Sequence, residues 1–170
     1  MSEFTILLDD CVPEFCKSRV LVIGCGNILF GDDGFGPAVI ERLQTKYTIP
    51  DDVYVLDVGT SVRDLLCTIA LSPVKPRKIV VIDTSDTGKK PGEVFVAPIE
   101  ELPELKVGCF SLHQVPTSNL LKELKACCQL NVALVIVQPE SIPEEIRPGL
   151  SEKVGAAVNQ ACEYITKNYL

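Results

Sequence analysis

Histidine occurs once in the 170 residues, at His113, and the eight cysteines form no Cys-x-x-Cys pair. Any imidazole chemistry therefore rests on His113. The missing pair removes the usual spacing of a zinc site, and a chain of this length folds without disulfide staples. Cys11, Cys16, Cys25, Cys67, Cys109, Cys127, Cys128 and Cys162 read as small buried thiols of a reducing compartment. The close pairs Cys11/Cys16 and Cys127/Cys128 keep a redox or cluster-binding role open, without spacing that promotes it. Basic charge is also scarce, with 16 Lys and Arg against 23 Asp and Glu and a net charge of −7. Scattered bases on an acidic chain exclude nucleic acid and anionic lipid as partners. No apolar run reaches membrane-spanning length, and the start, Met1-Ser2-Glu3-Phe4-Thr5, lacks a basic signal-peptide region, so a cytoplasmic protein is expected. There is no Gly-x-Ser-x-Gly elbow for a serine hydrolase. Cys109, the cysteine near His113, is a poor candidate nucleophile.

What is present is a regular alternation of apolar segments. With 46% apolar residues the chain has ample core for one domain over 1–170, residues 1–17 forming an N-terminal extension outside it. Arg19 to Gly24 is a β-branched, continuously apolar run ending in glycine, the pattern of a strand buried on both faces of a parallel sheet. Further strands are expected at Val53 to Val58, Lys78 to Asp83, Glu93 to Ala97 and Val132 to Val137. Helical spacing appears from Gly34 to Thr45, where Pro37 fits only a first turn, then through Asp64 to Ile69, Pro116 to Cys127 and Val154 to Tyr169. Strands alternating with helices predict a three-layer α/β/α sandwich with a mostly parallel central sheet.

In such sheets, functional groups gather at the carboxyl ends of the strands. Asp33, Asp57 and Asp83 all lie at or just past such ends. Gly24-x-Gly26 resembles the opening of a dinucleotide-binding turn, but the third glycine position holds Leu29, and Asp32 and Asp33 put negative charge where a phosphate would sit. The segment suits a cation better. A carboxylate at a helix N-terminus is held ionised by the helix dipole, which keeps Asp33 available as a ligand. Asp33, Asp83 and His113 together offer two hard oxygen donors and one imidazole, a half-filled coordination sphere for a divalent transition metal. Each has a plainer reading: a helix cap by Asp32 or Asp33, a turn cap by Asp83, a hydrogen-bonded loop histidine. Asp57 reads as a turn residue, a support for a ligand or a general base.

The order of motifs adds to this. Gly24-x-Gly26-Asn27-x-x-x-Gly31-Asp32-Asp33-Gly34-x-Gly36, Leu56-Asp57-x-Gly59-Thr60, Val81-Ile82-Asp83, Ser111-x-His113-Gln114 and Pro139-Glu140-Ser141 together resemble the hydrogenase maturation endopeptidase family over residues 19–168. More narrowly, they resemble the members serving the methanogen hydrogenase that reduces a deazaflavin coenzyme. The resemblance implies a protease that removes a C-terminal peptide from the precursor of a nickel-iron hydrogenase large subunit after nickel insertion. It implies that Asp33, Asp83 and His113 contact nickel, which arrives with the precursor rather than as a held cofactor. Catalysis would then use a metal-activated water or a carboxylate base, Asp33 or Asp57.

Two departures stand out. The family's first metal-contacting acid is often Glu, and Asp33 is one methylene shorter. Members also usually begin at strand one, whereas here residues 1–17 precede it, placed to cover a sheet edge or to touch the precursor. The stretch from Ala97 to Phe110 reads as a mobile flap leading into His113. Two other classes compete: a nickel-binding chaperone that holds metal without cutting, and a nucleotide-dependent enzyme on a Rossmann-like sheet, which Leu29 and the paired aspartates disfavour.

Overall fold

The computed structural model describes residues 12–97, 121–122, 124–126, 128 and 130–170. Its sheet comprises β1 (Val20–Cys25), β2 (Val53–Gly59), β3 (Lys78–Thr84), β4 (Val94–Ala97) and β5 (Asn131–Val137), in the order β2-β1-β3-β5-β4. The first four strands in that order run parallel, and β4 closes the far side antiparallel to β5. Among the described residues three longer helices accompany them: α1 (Phe35–Lys46), α2 (Val62–Leu71) and α3 (Glu152–Tyr169). A four-residue turn of helix, Glu14–Lys17, precedes β1 outside the sheet. The described residues between 121 and 128 are helical, and the rest of the helix expected over 116–127 lies outside the described residues.

Strict alternation along the central strands builds two cores. Leu21 and Ile23 of β1, Ile79 and Val81 of β3, and Leu134 and Ile136 of β5 face one side, where Val62, Leu65, Leu66 and Ile69 of α2 cover them with Leu121 and Leu124. Val20 and Val22, Val80 and Ile82, Val135 and Val137 face the other, under Phe35, Val39, Ile40 and Leu43 of α1 and Val154, Val158, Cys162 and Ile165 of α3. Burial on both faces is why these strands read as continuous apolar runs. The result is the expected α/β/α arrangement with a mostly parallel sheet.

The expected Gly34 to Thr45 helix is preceded by a tighter turn. Gly31–Gly34 forms a 3₁₀ turn that leads directly into α1, and Pro37 sits in the first turn of α1, where its missing N–H leaves no helical bond unmade. α1 packs unusually close to the sheet because both partners are glycine at the crossing. A Cβ on Gly36 would stand 2.2 Å from the main-chain oxygen of Cys25, and one on Gly24 would stand 2.6 Å from that of Gly36. Gly24, the first glycine of the Gly-x-Gly run, and Gly36 of α1 thus serve helix-to-strand contact.

Candidate active site

Parallel register brings three strand ends level. Gly24 of β1 pairs with Asp57 of β2 on one side and with Ile82 of β3 on the other, so Cys25, Asp57 and Asp83 lie at neighbouring carboxyl ends. Between Gly24 and Cys25 the β1–β2 register shifts, and Cys25 pairs with Gly59. Asp33 arrives from the loop after β1. Gly26 there has φ +123°, and a Cβ on it would lie 1.9 Å from the main-chain oxygen of Asp33, so the loop folds back over the strand end only through glycine.

Each sequence-selected aspartate has a local anchor. Asp33 is buried, and its Oδ2 accepts from the Asn27 main-chain N–H at 2.7 Å. The half-buried Asp83 accepts from the Thr84 N–H at 2.7 Å, and the exposed Asp57 accepts from the Gly59 N–H at 2.9 Å. These bonds are turn and loop anchors of the plainer kind, and they also fix where each carboxylate sits. The helix-cap reading of Asp32 and Asp33 is corrected: Gly34 precedes α1 without any side-chain cap, and both acids bond elsewhere.

Cys25 reports on the resulting field. Its thiol is fully enclosed, and burial above all, then the carboxylates of Asp83, Asp57 and Asp33 in that order, push it well above the usual thiol range. The three acids therefore all act electrostatically on the end of β1. A thiol held protonated there is no nucleophile; Cys16, Cys25 and Cys162 are buried as expected, whereas Cys67 is exposed and Cys128 half-buried, against that expectation.

Asp32 is the residue whose role the sequence reading misplaced. It is 1% exposed. Its Oδ2 accepts from the N–H groups of Glu140 (2.8 Å) and Ser141 (3.1 Å) and the Ser151 hydroxyl (3.0 Å), and its Oδ1 accepts from the Ser151 N–H at 2.7 Å. The Pro139-Glu140-Ser141 motif is thus a docking point for the turn that carries Asp33. The only signal for it in the sequence was the co-occurrence of the two motifs. Gln138, just before, organises the loop after β3 by accepting from the N–H groups of Thr87 (2.8 Å) and Lys89 (3.1 Å) and donating to Asp86 (3.0 Å).

His113 lies outside the described residues, as do Cys11, Cys109 and Cys127 and the Ala97 to Phe110 stretch apart from Ala97 itself. Among the described residues no group of three or more His, Cys, Asp or Glu could hold a metal ion. A metal site on Asp33 and Asp83 would need a donor from beyond the described residues. Chemically, the described site is a cluster of carboxylates able to accept protons or meet a cation.

The sequence profile of the hydrogenase maturation protease family matches residues 37–168. A Methanocaldococcus jannaschii protein named for the same family is 39% identical over 152 residues, covering 88% of this chain and 95% of its own length. The coenzyme F420 hydrogenase subunit delta of Methanothermobacter thermautotrophicus is 32% identical, covering 87% and 92%. The Escherichia coli hydrogenase maturating endopeptidase HybD superposes with a TM-score of 0.72 at 32% identity, over 86% of this chain and 89% of that one.

Proposed function

This chain belongs to the hydrogenase maturation protease family and is an endopeptidase, and from that premise we propose that it removes a C-terminal peptide from the nickel-loaded precursor of a nickel-iron hydrogenase large subunit. The observation that carries the reading is the convergence of Asp33, Asp57 and Asp83 around Cys25 at the ends of β1, β2 and β3. In this reading nickel is part of the substrate. Asp33, Asp83 and His113 would meet it through two carboxylates and an imidazole, a donor set suited to a borderline divalent metal with positions left for groups of the precursor.

Recognition of a bound metal gates the reaction. Until nickel is present, the clustered carboxylates repel one another; a divalent cation turns that repulsion into attraction. The peptide bond is then cut by water. Asp57, exposed beside the cluster, or Asp33, buried within it, would take the water's proton. A nickel-polarised water is the alternative source of the nucleophile. The remaining parts of the reading are a single domain over residues 1–170, no tightly held cofactor and a cytoplasmic site of action. No described helix is long and apolar enough to cross a membrane.

The test is the intact mass of a nickel-loaded large-subunit precursor incubated with this protein, beside a nickel-free control. Loss of a C-terminal peptide only with nickel is the expected result. A precursor that another processing enzyme cuts but that stays whole here would overturn the reading and favour a binder that does not cleave.

A further inference from the structure

The residues before β1 build something. A groove of about 500 Å³ runs beside the end of β2, with Pro13 and Phe15 of the N-terminal segment on one wall, Leu65 of α2 on another, and Leu56 on its floor. β2 is the outer strand of the described sheet on that side. The Phe15 wall is fixed: its ring packs edge-on against Tyr54 at 6.3 Å, its main-chain oxygen accepts from the Ser18 hydroxyl at 2.8 Å, and its neighbour Cys16 is wholly buried in the core.

Two carboxylates stand over this apolar lining, Asp57 and Asp64. Both are exposed, and neither is ion-paired with a lysine or arginine among the described residues. Asp57 belongs at once to the groove and to the carboxylate cluster around Cys25. The groove is therefore continuous with the candidate active site. Apolar walls with unneutralised negative charge fit an extended chain that offers an aliphatic side chain to the floor and a lysine or arginine to the rim.

We propose that this groove holds a basic and aliphatic stretch of the hydrogenase precursor next to the bond that is cut, which makes residues 12–17 part of the substrate-binding surface. The inference rests on the processing reading above, and it gives the N-terminal segment its role. Binding here acts on affinity, because the groove lies beside the reacting bond rather than on it.

The experiment uses the full-length protein and a nickel-loaded large-subunit precursor, reading direct binding by anisotropy of the labelled precursor and cleavage by intact mass. Asp64→Lys changes only exposed charge; Phe15→Ala removes a wall. Each should raise KM and the dissociation constant about tenfold, the effect of losing one good contact, with kcat little changed. The parent's affinity should fall with added salt, and that of Asp64→Lys should not. Reversal of a remote exposed charge, Glu163→Lys, serves as control. Parental KM and salt response in both variants would overturn the groove while leaving the processing reading intact. Groove-dependent binding without cleavage by the parent would sink the processing reading instead. A dimer that Phe15→Ala dissolves while KM stays parental would assign the groove to a second copy and overturn the proposal.

Discussion

The Thr84 hydroxyl donates a buried hydrogen bond of 2.9 Å to the main-chain oxygen of Asp32. Asp32 precedes Asp33, and Thr84 follows Asp83, so this bond ties the turn that bears one site carboxylate to the strand end that bears another. The sheet alone cannot set that spacing, because Asp33 comes from a loop and Asp83 from a strand. A side chain spanning the two segments can.

Thr84→Val keeps the volume and removes the donor, leaving the Asp32 oxygen with the Phe35 N–H alone. The expected loss is about 0.5–1.5 kcal/mol in urea unfolding, together with a drop in precursor processing that Thr84→Ser restores. Processing at the parental rate in the Val variant would show that the spacing does not depend on this bond.

Asp32→Ala removes the acceptor that gathers the Glu140, Ser141 and Ser151 donors. Buried N–H groups left without partners are costly, and hydrogen bonds to a charged acceptor are the stronger kind. Destabilisation of at least about 3 kcal/mol is expected, measured by chemical denaturation. A change below about 0.5 kcal/mol, the range of an ordinary surface substitution, would refute the role of Asp32 as the fastening of this turn.

How far these relationships were legible depended on their range in the sequence. The sheet was readable because Val20 to Ile23, Ile79 to Ile82 and Leu134 to Val137 are buried on both faces and say so locally. The antiparallel direction of β4 was not, since a four-residue strand carries no mark of orientation. The placement of Asp57 and Asp83 at strand ends and of Asp33 just past one was readable because strand ends can be located from the runs that precede them. Asp32 and Thr84 were missed because their partners lie at separations of 52 to 119 residues, where no pattern of spacing reaches. The plainer readings of Asp57 and Asp83 as turn anchors proved compatible with a site, since one carboxylate oxygen accepts the local N–H.

Gly36→Ala tests the close packing of α1 on β1. The added methyl would meet the Cys25 main-chain oxygen at 2.2 Å and that of Ile82 at 2.7 Å, and neither is a flexible side-chain end. Backbone must move. A loss of about 1–3 kcal/mol or more is expected from thermal or urea unfolding, with processing impaired because Cys25 lies amid the three carboxylates. Parental stability would mean that the helix can lift away from the sheet at little cost.

Stability should fall in alkali through Cys25. Its folded-state pKa is raised well above the ordinary thiol value, chiefly by burial and then by Asp83, Asp57 and Asp33. A raised folded value means that the contribution is complete below the unfolded pKa and declines as pH rises beyond it, because only the unfolded chain then releases the proton. Above about pH 9 the slope attributable to this thiol approaches 1.4 kcal/mol per pH unit. Cys25→Ala should flatten the alkaline limb of the stability curve by that increment. Cys162, pushed by burial up to about 11, should add a parallel decline that this variant retains. An unaltered alkaline slope in Cys25→Ala would contradict the enclosure of the thiol.

Asp83→Asn and His113→Ala separate nickel recognition from folding. Asn preserves the shape of Asp83 and its acceptor for the Thr84 N–H, which is bonded at 2.7 Å in the parent, but it removes the charge that a metal would meet. The fold should therefore persist, read as an unchanged unfolding midpoint within about 0.5 kcal/mol, while cleavage of the nickel-loaded precursor stops. His113→Ala should do the same if the histidine supplies the nitrogen donor. The two variants are informative together: loss of cleavage in both, with parental stability and with precursor binding reduced only when nickel is present, places both residues on the metal. Cleavage that survives in Asp83→Asn would remove that aspartate from the recognition set and leave Asp33 and Asp57 to act without it.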